Sequence, residues 1–277
     1  MRHLVFLTVI CLSATPALGQ DWDGDLLGLH GQLRGSIGAA WDSQYVWRGF
    51  DVFDDKSAVH LLADVDLFQT GFGISVAGHR ANSSGFEEQE RWDYTAYYQN
   101  SLFVGQPLET QYRFGWVYYN FPELWSQRAD LQEAHGILSW PNLLPIKGLC
   151  PSYAAIRLWP SRSDSTVERR HISTDVSGWW HILMLDYSFA IPGLGPKEKE
   201  SGQTIKLHSE LVYNDGVSPT GTNVPSGFSD AVFGVSTDVN LGYNFTLTPA
   251  VYYQRSMVNA VNPDDEFWVS VGLRYSF

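Results

Sequence analysis

The residues of this sequence that could do chemistry are ionisable side chains recurring on one parity of alternating segments. Asp42, Arg48, Asp64, Asp66 and Arg113 hold that parity in the first half of the chain. Glu133, Lys206, Glu210, Asp238 and Arg274 hold it in the second, with Asp93, Arg157, Asp186 and Asp230 between them. Carboxylates and guanidinium groups that share an interior must be paired or hydrated, because burying an unpaired charge is costly. The set therefore predicts either a salt-bridge network filling a narrow lumen or a water-filled channel lined with charge. Acidic members outnumber basic ones, so an open channel would mildly prefer cations, whereas joint burial of both signs would mean a plug. Arg48 stands out because Gly49 follows it and lets the chain bend inward. It would either line a constriction or bridge to a carboxylate and fix a loop.

Other chemistries fit less well. His60, His79, His135 and His208 share the inner parity, but they come from separate segments without a short His-x-x-x-His spacing, so no zinc site is expected. Asp54-Asp55 and Asp264-Asp265 lack the ligand count of a calcium loop and read as solvated. Ser173 and Asp175 near His171 are the nearest local grouping for a hydrolase, but proximity along a loop is not a triad. Neither metal nor cofactor is expected, nor an enzyme.

These side chains need elements with two unlike faces. The final stretch shows the element: Phe267, Val269, Val271, Leu273, Tyr275 and Phe277 alternate with Glu266, Ser270, Gly272, Arg274 and Ser276, and only Trp268 blurs the pattern. A period of two is a β-strand. A strand ending on Phe resembles the C-terminal signature of bacterial outer-membrane β-barrels, which the insertion machinery reads. The same alternation predicts a first strand from Ile37 to Gly49, hairpin strands on either side of Gln69-Thr70-Gly71, and one long strand from Ala231 to Phe245 closed by a turn near Thr246. The segment Gly178 to Phe189 is apolar on both parities, so its outer face is not assigned. Trp41, Trp47, Trp92, Trp116 and Tyr118 fall at strand ends and read as interfacial anchors.

Counting the alternating segments gives an all-β, antiparallel, transmembrane up-and-down β-barrel of about 12 strands, with 10 to 14 compatible with the pattern. Long and short connections alternate, although those at Pro145 and Pro196 are long for periplasmic turns. The N-terminus has the layout of a secretory signal over 1–19, with an apolar run from Leu4 to Leu12 and small residues at the cut. Residues 20–35 read as a periplasmic lead-in and 36–277 as the barrel.

Composition agrees. The 277 residues carry 11 Trp, 14 Tyr and 15 Phe, a load that suits membrane interfaces. A mean hydropathy of -0.17 is no objection, since barrel strands hide their apolar half in alternation. Beyond the signal no apolar run is long enough for a transmembrane helix. After the signal only Cys150 remains, so no internal disulfide can form. A net charge of -12 disfavours nucleic acid as a partner.

The run Asp42-Ser43-Gln44-Tyr45-Val46-Trp47-Arg48-Gly49-Phe50, followed by Asp54-Asp55-Lys56-Ser57-Ala58-Val59, resembles the opening of the TorF-type porin family of outer-membrane barrels. Its marks are a Tyr-x-aromatic-Arg-Gly strand end and a Lys-x-Ala continuation. The resemblance implies a barrel and suggests a pore. The expected protein is a passive, porin-like channel for small hydrophilic solutes, with outer-membrane lipid, periplasmic chaperones and the barrel-insertion machinery as partners. The alternatives are a closed barrel whose outer loops bind a ligand, and an outer-membrane hydrolase.

Overall fold

The computed structural model describes residues 33–124, 129–161, 177–191, 203–218 and 224–277. In chain order the strands are β1 (Arg34–Asp42), β2 (Val46–Trp47), β3 (Phe50–Asp51), β4 (Ala58–Asp66), β5 (Phe72–Ala81), β6 (Arg91–Leu102), β7 (Thr110–Asn120) and β8 (Leu131–Ser139). They continue with β9 (Leu149–Pro160), β10 (Gly178–Ile191), β11 (Gln203–Asp215), β12 (Gly227–Thr237), β13 (Val239–Gly242), β14 (Phe245–Ser256) and β15 (Glu266–Ser276). Consecutive wall strands pair antiparallel, except that β12 and β13 both pair β14 and together make one broken strand of the wall. β1 closes the ring by pairing β15 on one side and β4 on the other, so the wall is a closed 12-strand antiparallel barrel. β2 and β3 pair only with each other and stand apart from the wall.

Alternation does what the sequence predicts. In β15, Phe267 is 65% exposed and Trp268 2%, so odd residues face outward and even ones the lumen. Trp268 faces the lumen because it packs with Val46 and Tyr252 inside. The outer face carries Leu61, Ile74, Phe114, Leu183, Phe233 and Val251, all exposed. An apolar belt of this kind is stable only against hydrocarbon. Aromatic contacts ring the short-turn end, as in Phe72 with Tyr98 and Phe245 with Tyr275, and Trp41, Trp92, Trp116 and Trp179 stand outward nearer the long-loop end. Both chain ends of the barrel lie at the short-turn end, where Gly35 N donates to Phe277 O at 3.0 Å.

Four expectations are corrected. The first strand ends at Asp42 rather than Gly49, and the chain then leaves the wall and turns into the lumen. The long strand from Ala231 breaks after Thr237. Its turn falls at Tyr243 and Asn244, both at positive φ as a tight hairpin requires, and not near Thr246. Arg157 points outward: it pairs across from Trp179 and lies 5.7 Å from that ring, while Ile156 and Leu158 face in. Trp47 is not an interfacial anchor but 4% exposed inside the barrel. β10, unassigned from sequence, turns Trp179, Leu183 and Leu185 outward and Trp180, Ile182 and Met184 inward.

Candidate functional site in the barrel lumen

The lumen is organised by the segment between β1 and β4. After Asp42 the chain runs inward, and β2 and β3 form a short hairpin turning at Arg48 (φ 50) and Gly49 (φ 91). Tyr45, Trp47, Phe50 and Phe53 are buried and join a core with Val117, Tyr119, Ile156 and Trp180 from the opposite wall. Burying four aromatic rings inside a barrel is strongly favourable, which is why this segment seats in the lumen rather than standing in solvent. It occupies the long-loop half.

Charges hold the tip. Arg48 Nη1 donates to Glu133 Oε2 at 2.6 Å, and its guanidinium lies 5.1 Å from the Trp47 ring and 4.7 Å from the Trp180 ring. Glu133 also accepts from the Tyr119 hydroxyl at 2.6 Å and lies 3.0 Å from His135 Nδ1. Arg91 sits 4.0 Å over the Trp47 ring and donates to Asp93 at 2.8 Å and to the Tyr45 hydroxyl at 3.1 Å. Gln254 donates to Gly49 O at 2.9 Å. Three wall strands, β6, β8 and β14, thus grip the hairpin through different bonds.

The turn has no room for a side chain. A Cβ on Gly49 would lie 2.6 Å from Asp230 Oδ1 and 2.7 Å from Val261 Cγ1, at a φ that L residues rarely adopt. Gly49→Ala is therefore expected to weaken seating of the hairpin by about 1–3 kcal/mol while leaving the barrel wall intact. Faster proteolysis within 43–57, with unchanged heat-modifiable gel migration, would show this. Unaltered proteolysis would refute it.

Below the hairpin lies a cavity of about 240 Å³ whose lining includes Trp47, Arg48, Asp64, Thr95, Arg113 and Arg274. Arg113 stacks 3.5 Å from the Tyr97 ring and lies 4.0 Å from Asp64, which accepts from the Tyr97 hydroxyl at 3.0 Å.

The residues singled out from sequence fall into three groups, with Asp66 apart from them. Arg48, Glu133 and Asp42 belong to the hairpin's support, with Asp42 Oδ2 3.1 Å from His60 Nε2. Asp64, Arg113 and Arg274 line the cavity. Lys206 pairs with Asp238 at 2.6 Å, and Glu210 with His208 at 2.7 Å, on the far wall. Asp66 lies at the short-turn end, where Oδ1 accepts from Gln69 N at 2.9 Å and caps the turn. Arg48 is not on a wall strand at all. His171, Ser173 and Asp175 lie outside the described residues, as do residues 1–32. The acidic pairs divide: Asp55 approaches Asp51 and Glu266, and Asp265 binds Arg255 at 2.5 Å.

Sequence reasoning missed two features. Arg91 reads as the end of a loop, yet it is buried under Trp47. His60 and His79 meet across a hairpin, Nδ1 to Nδ1 at 2.9 Å. The signal was present: residues equidistant from a turn centred on Gln69-Thr70 stand opposite each other.

No family model matches the chain, and no curated protein matches it by sequence. Solved structures do match. The KdgM porin is 16% identical with a TM-score of 0.51, the alignment covering 87% of this chain and 99% of that one. The NanC porin is 11% identical with a TM-score of 0.51, over 88% and 100% of the two chains. The COG4313 outer membrane channel from Pseudomonas putida F1 is 10% identical with a TM-score of 0.50, over 90% and 96%. At such identities the likeness is one of fold. That shared fold, with the apolar belt and the charged interior, makes this chain an integral β-barrel of the Gram-negative outer membrane.

Proposed function

We propose that this protein is a passive outer-membrane channel for small hydrophilic solutes, narrowed by the hairpin of the first loop. The observation that carries the proposal is the charged lumen, with its cavity of about 240 Å³ directly beneath the hairpin. A wall built only for structure would fill that space with side chains. The resemblance of Asp42–Val59 to TorF-type porins supports the same reading, since its Tyr-Val-Trp-Arg-Gly motif is the hairpin itself. Inward carboxylates such as Asp64, Asp66, Glu210 and Asp238 outnumber inward cations, which supports a mild cation preference. The alternation of Phe267, Val269, Val271, Leu273, Tyr275 and Phe277 supports recognition of β15 by the insertion machinery.

A second reading is a closed barrel. It is favoured by the burial of the hairpin, with Arg48 3% and Phe53 0% exposed. Planar-bilayer recording of the refolded protein under a salt gradient separates the two. Discrete conductance steps with a reversal potential of cationic sign are expected. Folded barrel that inserts and carries no current would overturn the channel reading in favour of the closed one.

A further inference from the structure

We propose that Arg157, standing between two outward tryptophans at the long-loop end of the wall, seats the phosphorylated sugar headgroup of an outer-leaflet glycolipid. The seat rests on the place of the barrel in the outer membrane and not on the channel reading.

Charge singles out Arg157. Among the described residues, three arginines face outward near the long-loop end: Arg80 on β5, Arg157 on β9 and Arg255 on β14. Arg80 lies 3.2 Å from Glu90 and Arg255 lies 2.5 Å from Asp265, so each carries its own counter-ion. Arg157 has no carboxylate within ion-pair distance among the described residues, and its guanidinium rests 5.7 Å from the Trp179 ring. A cation on a membrane-facing wall costs stability unless a counter-charge reaches it. Its outward neighbours are apolar, so that charge has to come from the leaflet.

Register supplies the shape. Trp116, Ala134, Arg157 and Trp179 stand at one level across β7 to β10, and Phe114, Gly136, Ala155 and His181 stand at the next level toward the membrane centre. Trp116 and Trp179 are both exposed, and three strand spacings, roughly 14 Å, separate their backbones. Between these aromatic edges no outward side chain at either level is longer than alanine, except Arg157 itself. The wall is therefore concave there. Phe114 bounds the lower edge, where a Cβ on Gly136 would meet its ring at 3.0 Å, and Ala134 stays exposed.

The far edge is held firmly. The Tyr153 hydroxyl lies 2.6 Å from His181 Nδ1, and the successive rings of Trp179, His181 and Tyr153 stand at 10° and 9° to one another. This row fixes the ring on which the guanidinium rests. An Arg fork binds phosphate bidentately, and an aromatic face suits the C–H face of a sugar. The long-loop end lies in the outer leaflet, where the Gram-negative lipid is a phosphorylated glucosamine glycolipid. Its acyl chains would run down the floor of Ala134 and Ala155.

The test is native mass spectrometry of the refolded protein in detergent, titrated with diphosphoryl lipid A and with the same lipid after dephosphorylation. The phosphorylated lipid is expected to bind at least about tenfold more tightly, and Arg157→Gln to lose that advantage. Arg255→Gln, which removes a cation that has its own carboxylate, is expected to bind as the unaltered protein does. Ala134→Trp fills the floor without touching the charge and is expected to weaken binding as well. Heat-modifiable migration checks that each variant has folded. Should Arg157→Gln give no folded band, Arg157→Lys, whose ammonium lacks the bidentate fork, carries the comparison. An affinity unchanged at Arg157 or at Ala134, or lowered equally by Arg255→Gln, overturns the seat. Phosphatidylglycerol binding as tightly as lipid A, or inorganic phosphate displacing the lipid, overturns the glycolipid headgroup as its occupant.

Discussion

Replacing Val46–Asp51 by a two-residue Gly-Ser link is expected to raise single-channel conductance at least about fivefold. Val52 N already donates to Tyr45 O at 2.9 Å, so the cut ends meet and the link closes without strain. The wall is untouched, because β2 and β3 pair with no wall strand. What disappears is the Trp47 side chain between Arg91 and Trp180, the Arg48 guanidinium, and Phe50. Water can then hydrate Glu133 and Arg91, which remain as a charged ring at the widened passage. Barrels that fold and conduct as the unaltered protein does would show that the hairpin is not the constriction.

The second large effect is expected at Glu133. It accepts from Arg48 and Tyr119, both at 2.6 Å, and lies 3.0 Å from His135. Glu133→Leu leaves the buried Arg48 guanidinium without its carboxylate, which should weaken hairpin seating by about 3–5 kcal/mol. Removing both partners behaves differently. Glu133→Leu with Arg48→Met exchanges a buried ion pair for apolar contacts with Trp47 and Trp180, and much of the loss should be recovered. Proteolysis rates within 43–57 across the four proteins give the coupling. If the double variant is as labile as Glu133→Leu alone, the uncompensated charge is not the cause, and the orphaned Tyr119 hydroxyl and His135 are.

Seating also explains the glycine after Arg48. A type of turn that puts two consecutive residues at positive φ suits Gly far better than any residue with a Cβ, and here Asp230 and Val261 close the space as well. The Arg-Gly pair is therefore a structural device before it is a solute contact. Its guanidinium nonetheless borders the cavity.

The sequence by itself determined the wall. A period of two is a property of neighbouring residues, so the outward faces of β5, β7, β14 and β15, the position of the hairpin at Gln69-Thr70 and a strand count of about 12, within 10 to 14, were legible from alternation alone. The same rule failed between Ser43 and Gly49. Tyr45 and Trp47 continue the parity of Ala39 and Trp41, and nothing local marks that the chain leaves the wall after Asp42. What draws it inward is distant: Glu133, 85 residues away, and Gln254, 205 residues from Gly49. Arg157 misled in the reverse sense, because a lone Arg among apolar neighbours carries the same signal whether it lines a lumen or stacks on an outward Trp179. Strand parity is set within one strand. Which face meets the lumen, and which segment fills it, is set by closing the ring, and only the tertiary structure decides that.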